Sequence, residues 1–168
     1  IDVVIEEIST SPSEKLPFGS SPNALALTRD GARLYVANGT NNGVAVINLG
    51  AKAGNKKAIV ESKIAGLIPV GWYPGAAKLI FDEKQMVVAN IKGFGSRGKP
   101  SDINGYNSHD HLGSVSIFEL PDDAALAKHT RSFNMLNNLP ETLTGLAMKP
   151  GIRKPVPVPK VHGEPSLF

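Results

Sequence analysis

The sequence contains no cysteine. A disulfide framework, a thiolate metal site and a thiolate nucleophile are therefore excluded, while either redox compartment stays compatible. No apolar run approaches the roughly 18–20 residues that a helix needs to cross a bilayer, so no membrane span is expected. No secretory leader is expected within the opening Ile1-Asp2-Val3-Val4-Ile5, which lacks a basic start and already reads as a strand. Ile1 is not an initiator methionine, and the chain is expected to begin inside a longer or processed protein. Dense basic runs are lacking as well. The 18 Lys and Arg residues against 15 Asp and Glu leave a net charge of +3 spread along the chain, so nucleic acid is not an expected partner. Nor does any Ser-His-Asp set, phosphate loop or paired-carboxylate site stand in recognisable context, and the elbow around a nucleophilic serine is missing.

What the chain does have is a repeat. Gly19-Ser20-Ser21-Pro22-Asn23-Ala24-Leu25-Ala26-Leu27, then Asp30-Gly31, then Leu34-Tyr35-Val36-Ala37-Asn38, is matched 52 positions later. The second copy runs Gly71-Trp72-Tyr73-Pro74-Gly75-Ala76-Ala77-Lys78-Leu79, then Asp82-Glu83, then Met86-Val87-Val88-Ala89-Asn90. Self-similarity near this period marks a stacked architecture in which no unit buries its apolar face alone. The 17 glycines and 13 prolines suit many short strands joined by turns.

Within each copy the pattern is strand-like. Ala24–Leu27 is a strand, Asp30-Gly31 a tight turn, and Arg33–Asn38 a second strand with Leu34 and Val36 on one face. Asn38 to Gly43 is turn material, Val44–Ile47 a third strand, and Ile59 to Val70 supplies a fourth. The second copy gives Ala76–Phe81, Gln85–Asn90 and Ser114–Leu120. Val44 and Val115 are 71 apart rather than 52, so about 19 residues are inserted within Ile91 to Gly113. Four antiparallel strands per repeat describe a β-propeller blade.

The fold expected is therefore all-β: a partial propeller over residues 1–120, with blades at 19–70 and 71–120 and Ile1–Ile8 as the closing strand of an earlier blade. A helix is expected over 121–138, opened by Pro121-Asp122-Asp123. Residues 139–168, with Pro155-Val156-Pro157-Val158-Pro159, read as an extended Pro-rich linker towards a missing domain. A propeller closes with typically four to eight blades of about 40–45 residues. Two blades cannot close a ring, so the remaining blades and an adjoining domain or other chains are expected as partners.

Tyr35-Val36-Ala37-Asn38, with Pro22 and Asp30-Gly31 before it, resembles the YVTN-type propeller repeat of YncE-like proteins. The second copy departs from it in Val87-Val88-Ala89-Asn90 and Asp82-Glu83. Further words narrow the resemblance: Ile68-Pro69-Val70-Gly71-Trp72-Tyr73-Pro74, Ala89-Asn90-Ile91-Lys92-Gly93-Phe94-Gly95-Ser96-Arg97, Gly113-Ser114-Val115-Ser116-Ile117 and Leu120-Pro121-Asp122. Together they are similar to a subgroup in which the propeller precedes a phosphoesterase domain of the alkaline phosphatase superfamily. Val156-Pro157-Val158-Pro159 and Gly163-Glu164-Pro165-Ser166 resemble the join between the two parts. The resemblance spans about residues 18–168 and implies a periplasmic, secreted or cell-surface bacterial protein. It also implies that the nucleophile and any divalent metal belong to the phosphoesterase domain. No catalytic residue and no cofactor is expected in this chain.

Propeller topology brings the loop between a blade's second and third strands to the same end as the connection between blades. Asn38 to Gly43, Trp72-Tyr73 and the insert Ile91 to Gly113 should thus crowd one end, where loops on a rigid scaffold commonly bind. Trp72 and Tyr73 read either as a packed inter-blade turn or as an aromatic pair against a ligand. Lys92 and Arg97, beside the exposed amides of Gly93, Gly95 and Gly98, could hold an anionic small molecule. His109, Asp110 and His111 carry metal-ligand chemistry suited to zinc or manganese, although adjacent side chains seldom face one ion. Asp102-x-Asn104-Gly105 resembles part of a calcium loop but lacks its distal bidentate acid. For both, a plain solvated insert is the alternative. His129 and His162 receive no role. Three functions fit: a non-catalytic scaffold or recognition propeller, a phosphoesterase fragment whose insert borders the active site, and an adhesion propeller with no enzyme partner.

Overall fold

The alternation along the sequence becomes two antiparallel sheets followed by two helices in a computed structural model, which describes residue 4 and residues 6–50, 61–95 and 111–147. Strands β1 (Pro22–Leu27), β2 (Arg33–Asn38), β3 (Gly43–Asn48) and β4 (Lys63–Pro69) form the first sheet in that order. Strands β5 (Pro74–Ile80), β6 (Gln85–Asn90) and β7 (Ser114–Glu119) form the second. Among the described residues there is no closed barrel. The architecture is a partial, propeller-like stack of two sheets.

The sequence repeat is a structural repeat down to its hydrogen bonds. Ser21 and Tyr73, each just before a proline, take left-handed φ values of 49° and 55°. Each is followed by the same register shift, between Pro22 and Ala24 and between Pro74 and Ala76. The Ser21 carbonyl accepts from the Gly39 N–H at 2.8 Å, and the Tyr73 carbonyl from the Ile91 N–H at 3.0 Å. Bulges of this kind re-aim a strand's end, and here both do so at the loop end of the sheets.

The turns at the opposite end differ in chemistry. Gly31 supplies a φ of 70° in the first copy, and the Asp30 carboxylate accepts from the Thr28 hydroxyl at 2.7 Å and the Ala32 N–H at 2.9 Å. Those two bonds hold the Asp30 carboxyl below its usual range. The second copy adopts left-handed φ at Phe81, Asp82 and Glu83 without any glycine. The two turns meet where the Arg29 N–H donates to the Glu83 carboxylate at 2.6 Å.

The core lies between the sheets. Tyr35, Val44, Val46 and Ile68 from the first pack against Met86 and Val88 from the second, with Leu79 and Phe118 beside them. Each such side chain contributes about 1.5–3 kcal/mol on burial. The opposite face of the first sheet carries Val36, Ala45, Ile47 and Leu67, covered by Phe133 and flanked by Ile8. Leu25 and Leu27, paired with Val36 and Leu34, lie on that face but stay exposed. On the second sheet, Val115 and Ile117 pair with Ala89 and Val87 on the face away from the core. They are 62% and 63% exposed.

Helix α1 (Asp123–Leu136) opens on Asp122, whose carboxylate accepts from the Ala125 N–H at 2.7 Å. It lies along β4, the edge strand of the first sheet. The Leu67 N–H, which no strand pairs, donates to the Thr130 hydroxyl at 2.9 Å. Leu126 reaches the inter-sheet core and Phe133 the opposite face, so the helix straddles the edge. Two glycines permit the approach. A Cβ on Gly43 would run into the Phe133 ring, and one on Gly66 would stand 2.6 Å from Thr130 Oγ1 and 2.7 Å from Leu126 Cγ.

Three expectations need correction. Residues 71–120 form three strands among the described residues, because after Glu119 the chain leaves the second sheet and becomes the helix on the first. Val4 and Glu6–Ile8 form no strand. Glu6 instead binds Ser62 with its side chain, accepting from the hydroxyl and the N–H at 2.7 Å each, and these bonds lower its carboxyl below the usual range. The helix expected over 121–138 ends at Leu136, and Leu139–Ala147, expected as linker, is a second helix, α2. Pro140 falls in its first turn, where a missing N–H costs nothing, and Asn138 redirects the chain with a φ of 51°. The remaining linker residues, 148–168, lie outside the described residues.

Candidate functional site

The loop ends of both sheets converge as the topology requires. The side chain of Asn42, in the turn between β2 and β3, accepts from the Tyr73 N–H at 2.9 Å. Its backbone carbonyl accepts from Val70 at 3.1 Å. Asn42 itself sits at a φ of 53°, which places its side chain across the inter-sheet connection. Asn23, at the first bulge, donates to the Pro74 carbonyl at 2.9 Å, so the first strands of the two repeats are also joined there.

The Trp72-Tyr73 pair divides its work. The Tyr73 ring packs over Gly39, where a Cβ would stand 3.3 Å from it. The Lys92 ammonium lies over the same ring, 5.2 Å from its centroid, a cation–π arrangement. Trp72 is held by its backbone, donating to the Gly93 carbonyl at 2.7 Å and accepting from the Lys92 N–H at 3.0 Å. Its side chain is 47% exposed. Tyr73 is thus a packed turn residue, while the Trp72 side chain is half-exposed.

Beneath these loops lie two buried asparagines that end the repeated strands, Asn38 and Asn90, exposed 0% and 2%. Asn90 donates to the hydroxyls of Ser114 and Ser116 at 3.2 and 2.9 Å, and Asn38 to the Thr10 carbonyl at 2.8 Å. In each the side-chain oxygen is buried and meets no hydrogen-bond partner among the described residues. Gly71 is required over Asn90, since a Cβ there would stand 2.6 Å from the Asn90 amide. Its counterpart Gly19 has open space around it, so the same sequence letter serves different needs in the two copies.

A cavity of about 460 Å³ opens beside Trp72. Asn42, Trp72, Phe94, Ser116, Leu136 and Asn137 line it, drawn from three loops, strand β7 and the end of α1. Phe94 is 87% exposed. A second cavity, about 400 Å³, lies between the segment Pro12–Gly19, Thr40-Asn41 and α2, and is mainly apolar.

Of the expected ligand residues, Trp72, Tyr73 and Lys92 come together, and Arg97 lies outside the described residues. Of the expected metal group, His109 and Asp110 lie outside them too. His111 is half-buried, with Nδ1 buried and without a partner among the described residues. Among the described residues no group of three His, Asp or Glu side chains could hold a metal ion. Sequence reasoning brought the loop of Asn42 to this end without singling that residue out, and it missed Ser116 and the α1 terminus as lining residues. Phe94 stood inside a quoted motif, but nothing in the sequence aligned Leu136 and Asn137 with it, because the docking of α1 on β4 is a tertiary event.

No protein-family profile matches this chain, and no curated protein matches it. Among solved structures, a chain of Kuenenia stuttgartiensis hydrazine synthase is similar, with 33% identity and a TM-score of 0.29. The match covers 41% of this chain and 17% of that chain's length.

Proposed function

We propose that this chain is the non-catalytic propeller portion of a larger periplasmic or secreted bacterial protein, serving as scaffold and recognition surface beside a phosphoesterase domain. The motif words that resemble YncE-like, phosphoesterase-linked propellers support the second half of this reading. The observation that carries the first half is the outer face of the second sheet. Val115 and Ile117 of β7 stand exposed there, and the outer edge of β7 pairs with no strand among the described residues. A monomer that ends on an apolar face and an open edge invites another sheet to cover both. Leu25 and Leu27 present a second such surface on the first sheet.

Sedimentation of the isolated 17.8 kDa chain tests this. Self-association or a poorly folded species is expected, and a stable, cooperatively unfolding monomer would refute it. In the same preparation a phosphate monoester with added zinc, manganese or calcium should remain uncleaved. Metal-dependent turnover lost on His109→Ala and His111→Ala would move the chemistry into this chain.

A further inference from the structure

The cavity beside Trp72 has a composition that selects its occupant. Two aromatic side chains border it, Trp72 at 47% and Phe94 at 87% exposure, although exposed aromatic surface in water is unfavourable without a partner. Its polar lining is neutral: two asparagine amides and the Ser116 hydroxyl. No charged side chain is among the described residues that line it, and the nearby Lys92 ammonium lies over the Tyr73 ring. A carboxylate, phosphate or ammonium entering this space would lose hydration without meeting an opposite charge. A purely apolar ligand would leave the amides and hydroxyl unpaired.

The polar groups are also held in place. Asn42 is fixed through the Tyr73 N–H, and among the described residues its own amide hydrogens meet no acceptor. Asn137, the C-cap of α1, donates to the Phe133 carbonyl at 3.0 Å. Ser116 accepts from the buried Asn90 amide at 2.9 Å. An amide offers both donors and acceptors, and a hydroxyl offers both, which matches adjacent hydroxyl groups on a ligand. Pre-formed cavities of roughly 300–1,000 Å³ with few fixed polar groups are the usual form of a small-molecule site.

We infer that this cavity binds a neutral sugar ring, stacked by its C–H face on Trp72 and held through its hydroxyls by Asn42, Ser116 and Asn137. Such a ring combines an apolar face with a hydroxyl rim, and neither an anion nor a hydrocarbon does.

Trp72 is the sole tryptophan, so intrinsic fluorescence reads the site directly. Glucose, galactose, N-acetylglucosamine and maltose would be titrated up to ~100 mM, the range of millimolar affinity. Inorganic phosphate and adenosine form the comparison arms. At least one sugar should shift Trp72 emission saturably. Phe94→Ala, which removes an exposed side chain, should weaken that response by about fivefold, the scale of one aromatic contact. Trp72→Phe, followed by calorimetry, should retain part of the binding. An unchanged far-UV spectrum in both variants keeps the comparison on binding. Lack of response to every sugar would overturn the inference. So would a response to phosphate or adenosine alone, or sugar binding indifferent to Phe94→Ala. The titrations are read on protein whose far-UV spectrum shows folded β-structure, in whatever oligomeric state sedimentation finds, so failure here and failure of the propeller reading are separable.

Discussion

Gly66 carries as much structural meaning as any bulky core residue. It lies buried on β4 where α1 crosses, and an added methyl would meet Thr130 Oγ1 and Leu126 Cγ rather than the pliable tip of a long side chain. Overpacking of this kind costs about 1–3 kcal/mol, so Gly66→Ala should lower the thermal midpoint clearly. Gly145, within α2, meets nothing within 4 Å, and Gly145→Ala should raise stability by about 0.5–1 kcal/mol through helix propensity. Paired thermal melts check both. Equal effects at the two positions would show that helix docking on Gly66 is not limiting.

At the level of elements, the first sheet's free edge is managed by a helix rather than by another strand. An unpaired strand edge is an invitation to aggregation, and covering it is one remedy. Thr130 gives that cover its chemistry, since its hydroxyl accepts from the Leu67 N–H and donates within its own helix to the Leu126 carbonyl at 2.9 Å. Arg33 on β2 adds an ion pair to Asp123 at 2.6 Å, and that partner raises the Arg33 pKa. Asp123 is largely exposed, so the pair's contribution is small. Thr130→Val keeps the shape but leaves the Leu67 N–H without an acceptor, a loss of about 1–3 kcal/mol. Hydrogen exchange at Leu67 is the specific readout, and its protection should fall more than that of the Val88 amide in the second sheet. Unchanged protection would mean that the helix shields the edge sterically, with the hydroxyl incidental.

The molecule as a whole is asymmetric in how its two sheets end. The first has a fourth strand, a helix over its edge and Phe133 on its outer face, while the second presents Val115 and Ile117 and a β7 edge that no described residue covers. If that face is where further polypeptide stacks, Ile117→Lys should shift the isolated chain towards smaller species in sedimentation. It should leave the inter-sheet core intact, because Ile117 points away from Met86 and Val88. Association insensitive to this change would place the contact on the Leu25 and Leu27 face instead.

Much of this was legible in the sequence because it is local. Apolar alternation, paired prolines, and Asn38 and Asn90 at a constant offset specify strands, bulges and turns through nearest-neighbour sterics and backbone hydrogen bonding, and β2 and β6 fall where the pattern places them. The convergence of Asn42, Tyr73 and Lys92 followed from blade topology alone. What local pattern could not decide was where α1 goes, since its apolar residues are compatible with many surfaces and only Gly43 and Gly66 leave room for Phe133 and Leu126. That choice placed the helix on the first sheet, left β7 without a covering element among the described residues and brought Leu136 and Asn137 beside Trp72 in the cavity lining. The linker reading of residues 139–147 gave way for a similar reason: Pro140 falls in a first helical turn and, with Leu139 buried, begins a helix. Strands came from sequence because their period is intrinsic to the chain. The site came from tertiary structure because its walls are distant in sequence and meet only when side chains compete for the same volume.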